Sequence, residues 1–196
     1  MANKTCMDLG HWARRLVHMM APLFLVYYLI PEEIYGLDKR VGLVILLAVV
    51  LAFEAIRLWR GWTFPGLRDY EAGRISAFAW ASIGLTFTFL FFPLELAAPA
   101  VTGMAFTDPL IGELRRRRSA LYPLLPLVFY FVVVLTIFIA LMGWSWQVLL
   151  ASLVGTILAI GVERVRTKYV DDDFLMMVVP LLGMAAVLLL TSSYPS

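Results

Sequence analysis

The sequence predicts an all-α protein, a polytopic membrane bundle of about seven transmembrane helices with its N-terminus in the cytoplasm. Of its 196 residues, 62% are hydrophobic and 15% charged, whereas a soluble domain carries about 25% charged residues. The apolar residues come in blocks of about 15–20, the length with which a helix crosses a hydrocarbon core. The alternating pattern of a membrane β-barrel is absent from the sequence.

Seven apolar blocks are predicted to form the helices of a single transmembrane domain, residues 1–196. The first block lacks the features of a cleavable signal, so we expect it to remain as a membrane helix. The fourth is short and contains Pro99 and Gly103, which favours a broken or tilted helix of the kind tolerated beside a polar cavity. The blocks cover residues 13–30, 41–58, 75–92, 94–107, 121–142, 146–162 and 174–191.

The basic residues predict the orientation. With seven spans, 14 of the 16 lysines and arginines fall on the side of the N-terminus, and only Lys39 and Arg40 fall on the other. Positively charged loops stay in the cytoplasm, so we expect this side to be cytoplasmic. The 14 are Lys4, Arg14, Arg15, Arg57, Arg60, Arg68, Arg74, Arg115 to Arg118, Arg164, Arg166 and Lys168.

Most acidic residues share that side, although the rule that sorts arginines does not sort carboxylates. Ten of the 14 lie there. Arginines that only set the topology do not need carboxylates beside them, but a site that binds a metal and a polyphosphate does. The ten are Asp8, Glu54, Asp69, Glu71, Asp108, Glu113, Glu163 and Asp171 to Asp173.

Other kinds of site are disfavoured. The single cysteine, Cys6, can form neither an intramolecular disulfide nor a zinc cage. The nucleotide-binding and metalloprotease motifs of soluble proteins are absent from the sequence.

Two candidate clusters come from the first two spans. Arg14 and Arg15 lie four and three residues before His18, so on a helix both can neighbour it and form a phosphate clamp. The alternative is that the arginines only set topology and the histidine bonds within the bundle. Glu54 and Arg57, three residues apart, are either functional groups at membrane depth or a structural ion pair.

Three further clusters lie later on the same side. Arg74 enters the third span, where a plain helix entry is the alternative to a binding role. Asp108 and Glu113 offer oxygen ligands suited to Mg²⁺, and Gly112 permits close approach of a ligand. The arginine run that follows is more typical of a topology and headgroup feature.

The last cluster combines Lys168 with Asp171, Asp172 and Asp173. Three consecutive aspartates repel one another unless a cation offsets them, and carboxylates commonly hold Mg²⁺ against substrate phosphates. The alternative is a solvated turn whose acids favour the next helix N-terminus.

In these segments the sequence resembles the dolichol kinase and phytol kinase family of CTP-dependent lipid kinases, which is related to the phosphatidate cytidylyltransferases. Most of the chain shares the order of motifs. The chain differs where arginines replace a later glycine, and where the third aspartate replaces an asparagine. The segments are Arg14-Arg15-Leu16-Val17-His18, Phe53-Glu54-Ala55-Ile56-Arg57-Leu58, Asp108-Pro109 with Gly112, and Glu163 followed by Asp171-Asp172-Asp173-Phe174 and Pro180.

The resemblance implies a Mg²⁺-dependent phosphotransferase that uses CTP to phosphorylate a lipid alcohol such as a polyprenol. Asp108, Asp171 and Asp172 would hold the metal, and His18 or Glu54 would receive the hydroxyl proton. The residues predicted to bind the nucleotide are Arg14, Arg15, Arg74, Gly112, Glu113 and Lys168.

Two other classes of function stay open. A CDP-lipid synthase needs the same metal and charges, although the long signature of the cytidylyltransferases is absent from the sequence. A transporter or a structural membrane protein is disfavoured because the middles of the spans are almost free of charge. We expect no nucleic-acid partner, and a homodimer is compatible with the sequence. The location would be the plasma membrane of a prokaryote or the endoplasmic reticulum of a eukaryote.

Overall fold

A computed structural model describes residues 15–16, 18–64, 67, 69–163 and 170–192. The predicted all-α class is confirmed. Over the described part of residues 39–192, the α-helices are α1 (Lys39–Arg60), α2 (Ala77–Phe91), α3 (Leu94–Arg116), α4 (Leu124–Met142), α5 (Trp146–Glu163) and α6 (Asp172–Ser192). Two 3₁₀ helices, Ala21–Leu29 and Asp69–Gly73, precede α1 and α2, respectively.

Four helices are long and apolar enough to cross a membrane, namely α1, α4, α5 and α6 from Asp172 to Thr191. The shorter α2 is also apolar. These helices support the prediction of a membrane protein. They match the second, fifth, sixth and seventh predicted spans closely.

The first and fourth predicted spans differ from expectation. In the first, the described residues 21–29 form a 3₁₀ helix with a proline in its first turn, and Pro22 has no N–H for an i−4 hydrogen bond. The fourth is not short. Helix α3 continues past Thr107 to Arg116 and contains both Pro99 and Pro109, so Asp108, Gly112 and Glu113 lie on a helix.

Capping residues fix where the helices begin and end. The Asp38 carboxylate accepts a hydrogen bond from the Arg40 N–H at 2.6 Å, and the Ser76 hydroxyl accepts one from the Ala79 N–H at 3.3 Å. Such caps satisfy donors that lack an intrahelical partner. Helix α1 ends at Gly61, which adopts the left-handed conformation with φ of 64°.

A short β-hairpin was not predicted. Glu33–Ile34 pairs with Leu37–Asp38 in antiparallel register. Tyr35 and Gly36 connect them with φ of 52° and 78°, and positive φ at both central residues is typical of a type I′ turn. The hairpin carries charged residues to the end of the bundle where α1 begins.

The core is built around α3, whose small residues allow close helix packing. A Cβ on Gly103 would lie 2.8 Å from the Tyr130 ring of α4, and a Cβ on Gly183 of α6 would overlap the Leu158 side chain of α5. Helix α1 is peripheral, since 11% of its apolar window is buried, compared with 44% for α5.

The helices alternate in direction, so their ends form two opposite surfaces. We call the surface formed by the ends of α1, α3 and α5 and the starts of α2, α4 and α6 the basic end. It carries the arginine run and most of the carboxylates. At the opposite end, an apolar hollow of about 550 Å³ lies between residues such as Phe92, Met142 and Leu188.

Candidate functional site

The basic end brings together polar side chains from three separate parts of the chain. His18 belongs to the N-terminal segment, Asp108 to α3 and Asp173 to the first turn of α6. His18 Nε2 lies 3.8 Å from Asp108 Oδ2, and His18 Nδ1 lies 3.6 Å from Asp173 Oδ2. These separations are too long for direct hydrogen bonds.

The three side chains differ in their access to solvent. The side chains of Asp173 and His18 are 9% and 12% exposed, and that of Asp108 is 27% exposed. Asp108 is therefore the member of this trio that a ligand arriving from water reaches first.

The members of the aspartate triplet differ in burial. Asp171 accepts a hydrogen bond from the Asp173 N–H at 3.1 Å, which is a local turn at the start of α6. Asp173 is the buried member of the triplet, and Asp171 and Asp172 are partly exposed. Burial of a carboxylate at a helix start is favourable when donors and the helix dipole compensate it.

Two overlapping groups of ligand atoms could hold a metal. His18, Asp108 and Asp173 offer one such group, and Asp171, Asp172 and Asp173 the other, with the ligand atoms of each within 4.8 Å of one another. Carboxylate oxygens fit a hard cation such as Mg²⁺, whereas imidazole suits transition metals better. The donor set thus fits Mg²⁺ through the aspartates.

Arginines surround the next acidic residue of α3. Glu113 accepts from Arg15 Nη1 at 2.9 Å, from Arg116 Nη2 at 3.0 Å and from Arg117 Nε at 2.5 Å. The bonds to Arg117 and Arg15 lower the pKa of Glu113 from 4.5 to about 2. Three guanidinium groups on one carboxylate leave a net positive charge.

Gly112 lies close to Arg15. A Cβ on Gly112 would lie 3.9 Å from Arg15 Nη2, an ordinary van der Waals contact. The guanidinium therefore lies beside this position of α3.

A second ion pair ties α3 to α5. Arg115 contacts both carboxylate oxygens of Glu163, and its Nη2 donates to the Tyr122 hydroxyl at 2.7 Å. The Tyr122 hydroxyl in turn lies 3.3 Å from Glu163 Oε2. Asp108 and Asp172 both act electrostatically on Glu163, so this pair borders the aspartates.

Glu54 lies in a different polar cluster. Its carboxylate accepts two hydrogen bonds from Arg57, at 2.9 and 2.8 Å, and one from the Ser76 N–H at 2.6 Å. Arg57 Nη2 also donates to the main-chain oxygens of Glu71 and Arg74, at 3.2 and 2.6 Å. This arrangement favours the structural alternative, in which the pair fixes the loop between α1 and α2.

The predicted site residues thus divide into three sets. Seven lie around the end of α3 and the start of α6, namely Arg15, His18, Asp108, Gly112, Glu113, Asp171 and Asp172. Glu54 and the main chain of Arg74 belong to the loop cluster. Arg14 and Lys168 lie outside the described residues.

The sequence predicts Asp171 and Asp172 as metal ligands but gives no specific role to Asp173 and Glu163 of the same cluster. Arg115 and Tyr122 are not predicted as site members. The periodicity of α6 could have identified Asp173. It stands three, four and seven positions before Met176, Met177 and Pro180, which are all buried and share one face of a helix.

Comparison of the chain with protein-family models, with curated proteins and with solved structures finds no match.

Proposed function

We propose that the protein is a membrane-embedded lipid kinase that transfers the γ-phosphoryl group of CTP to a lipid alcohol at its basic end. One observation carries the proposal. His18, Asp108 and Asp173 come from three separate segments and meet next to arginines at the surface of a bundle of apolar helices.

The charges are arranged as a metal–triphosphate complex requires. Asp108 and the Asp171–Asp173 turn would hold Mg²⁺, which supplies charge neutralisation on the phosphate oxygens. Arg15 and Arg115 are each fixed by a carboxylate, Glu113 and Glu163. Guanidinium groups held in this way can receive phosphate oxygens without a large loss of side-chain entropy.

The reaction needs little covalent participation by the protein. The lipid hydroxyl oxygen forms a bond to the γ-phosphorus, the bond from that phosphorus to the β–γ bridging oxygen breaks, and CDP leaves with the bridging oxygen. We assign the hydroxyl proton to His18. Positioning and charge stabilisation provide most of the catalysis in such transfers.

The lipid would reach the site from the side. Exposed apolar residues of the N-terminal segment, such as Leu16, Leu23 and Phe24, face outward while Arg15 and His18 face α3 and α6. A lipid tail can therefore stay in the hydrocarbon phase while its hydroxyl reaches the polar cluster.

CDP-lipid synthase activity is the second candidate, because a lipid phosphate could attack the α-phosphorus of CTP at the same site and release pyrophosphate. The resemblance to the lipid kinases favours the kinase. A transporter is less consistent with the described charges, which gather at the two ends of the bundle.

The product identifies the activity. Each assay contains the purified protein, Mg²⁺ and one lipid, which is a polyprenol, a diacylglycerol or a phosphatidate. The CTP is labelled either at the γ-phosphate or in the base. We expect label from the γ-phosphate on the alcohols. Label from the base on the phosphatidate would instead show a synthase, and an unlabelled lipid in every assay would contradict both.

The matched pair of variants is Asp108→Asn and Asp38→Asn. Both remove one carboxylate, but Asp38 caps α1 at the opposite end and asparagine also caps helices well. We expect only the Asp108 variant to lose transfer.

A further inference from the structure

The N-terminal segment that carries Arg15 and His18 changes its helix type between Met20 and Leu23. The Met20 N–H bonds to the Leu16 oxygen, an i−4 bond, whereas the Leu23 N–H bonds to the Met20 oxygen, an i−3 bond. The change falls at Pro22, which has no N–H to continue the i−4 pattern. From there nine residues, Ala21–Leu29, remain 3₁₀ helical.

A 3₁₀ helix of this length is unusual, since runs beyond three or four residues are uncommon. Its hydrogen bonds have poorer geometry than those of an α-helix. Contacts with the rest of the protein must therefore compensate for this conformation.

The far end of the segment has such contacts. The Tyr28 hydroxyl donates to the main-chain oxygen of Phe92 at 2.7 Å. Tyr27 stacks on Phe89, with ring centroids 5.3 Å apart, and Tyr28 meets the same ring edge-on. This end is thus anchored where α2 ends.

The near end is held by charge. Arg15 bonds to Glu113, and His18 lies between Asp108 and Asp173. The 3₁₀ helix therefore connects two fixed points, one at each end of the bundle.

The helix type sets the distance between these points. Nine residues span about 18 Å as a 3₁₀ helix and about 13.5 Å as an α-helix, a difference of about 4.5 Å. The two forms also differ in rotation by about 20° per residue, or about 180° over nine residues. An α-helix anchored at Tyr28 would turn Arg15 and His18 away from α3 and α6.

We propose that the 3₁₀ helix Ala21–Leu29 is a conformational switch. While it is 3₁₀, it presents Arg15 to Glu113 and His18 to Asp108 and Asp173, and it withdraws both side chains when it becomes α-helical. Tyr28 acts as a positioning residue through this helix. The inference concerns where two side chains lie, so it stands or falls independently of the proposed reaction.

The test measures the position of the segment directly. Spin labels are placed on the full chain at Leu16→Cys and Ala120→Cys, both exposed positions at the basic end, with Cys6→Ser as background. Double electron–electron resonance reports their separation. The unmodified segment should give one main distance.

Two variants should change that distance. Tyr28→Phe removes the hydroxyl bond and keeps the ring contacts, and Pro22→Ala restores the missing N–H. We expect each to add a second population displaced by about 4–5 Å or more. The matched control is Tyr35→Phe, because Tyr35 is fully exposed in the hairpin; it should leave the distance unchanged.

An unchanged distribution in Tyr28→Phe would overturn the proposal, and so would an equal change in Tyr35→Phe. If Pro22→Ala does not give a folded protein by size-exclusion chromatography, Tyr28→Phe decides alone, since its ring packing is retained.

Discussion

His18 Nδ1 lies 3.6 Å from Asp173 Oδ2, although helices α1 to α5 lie between them along the chain. The same imidazole faces Asp108 through its other nitrogen. One side chain thus joins the N-terminal segment to both α3 and α6.

Replacement of His18 by asparagine tests its assigned role as proton acceptor. Asparagine can form hydrogen bonds but cannot take the hydroxyl proton, so kcat for lipid phosphorylation should fall by about 10²–10⁴. The KM for CTP should change little. Steady-state kinetics measure both, and a raised KM with unchanged kcat would show instead that His18 only positions the nucleotide site.

Glu113 gives a prediction for the pH dependence of stability. Its pKa is lowered from 4.5 to about 2 by Arg117 and Arg15, so its contribution is present above pH 4.5 and is lost as the pH falls toward 2. Glu113→Gln removes that contribution at every pH. The melting temperatures of the two proteins in detergent should therefore converge near pH 2 and differ above pH 5. A difference in melting temperature that stays constant across this pH range would contradict the assignment.

Glu54 was predicted as a possible proton acceptor, and its contacts favour a structural role. Removing one partner of a buried ion pair costs about 3–5 kcal/mol. Glu54→Gln should thus lower the melting temperature strongly, with activity lost in proportion to folded protein. Folded Glu54→Gln protein with a normal melting temperature and a much lower kcat would restore the catalytic alternative. Glu95→Gln, at the opposite end, is the control.

The sequence predicted the helix class well because apolar block length is a strong signal. It did less well where prolines occur. The fourth span was predicted to end at Thr107, yet α3 continues through Pro109 to Arg116 because packing around Ile111 and Leu114, both buried, stabilises the helix. Propensity is readily overridden by tertiary contacts of this kind.

The candidate site was predictable as a set of charged segments but not as a set of partners. Sequence spacing placed Asp108 and the aspartate triplet on one side of the membrane. It could not show that Arg115 pairs with Glu163, or that Glu113 collects three arginines, because these contacts depend on how α3 and α5 rotate about their axes. The position of Asp173 depended on where α6 begins.

The orientation of the bundle is a separate prediction. Tyr35→Cys and Ala120→Cys place single thiols at opposite ends, in the Cys6→Ser background. A membrane-impermeant maleimide should label Tyr35→Cys in intact cells and Ala120→Cys only after lysis, because the basic end is predicted to face the cytoplasm. The reverse pattern would invert the topology, and equal labelling would refute the opposite placement of the two ends.

The central claim is that Asp108 and Asp173 belong to one metal–nucleotide site. It is tested most directly by the binding of Mn²⁺, as a spectroscopic substitute for Mg²⁺, with CTP to Asp108→Asn, Asp173→Asn and the double variant, followed by electron paramagnetic resonance. If both residues belong to one site, their losses of binding free energy should be far from additive. The double variant should then bind Mn²⁺ and CTP only slightly more weakly than either single variant. Losses that simply add, or single variants that bind like the unmodified protein, would contradict it.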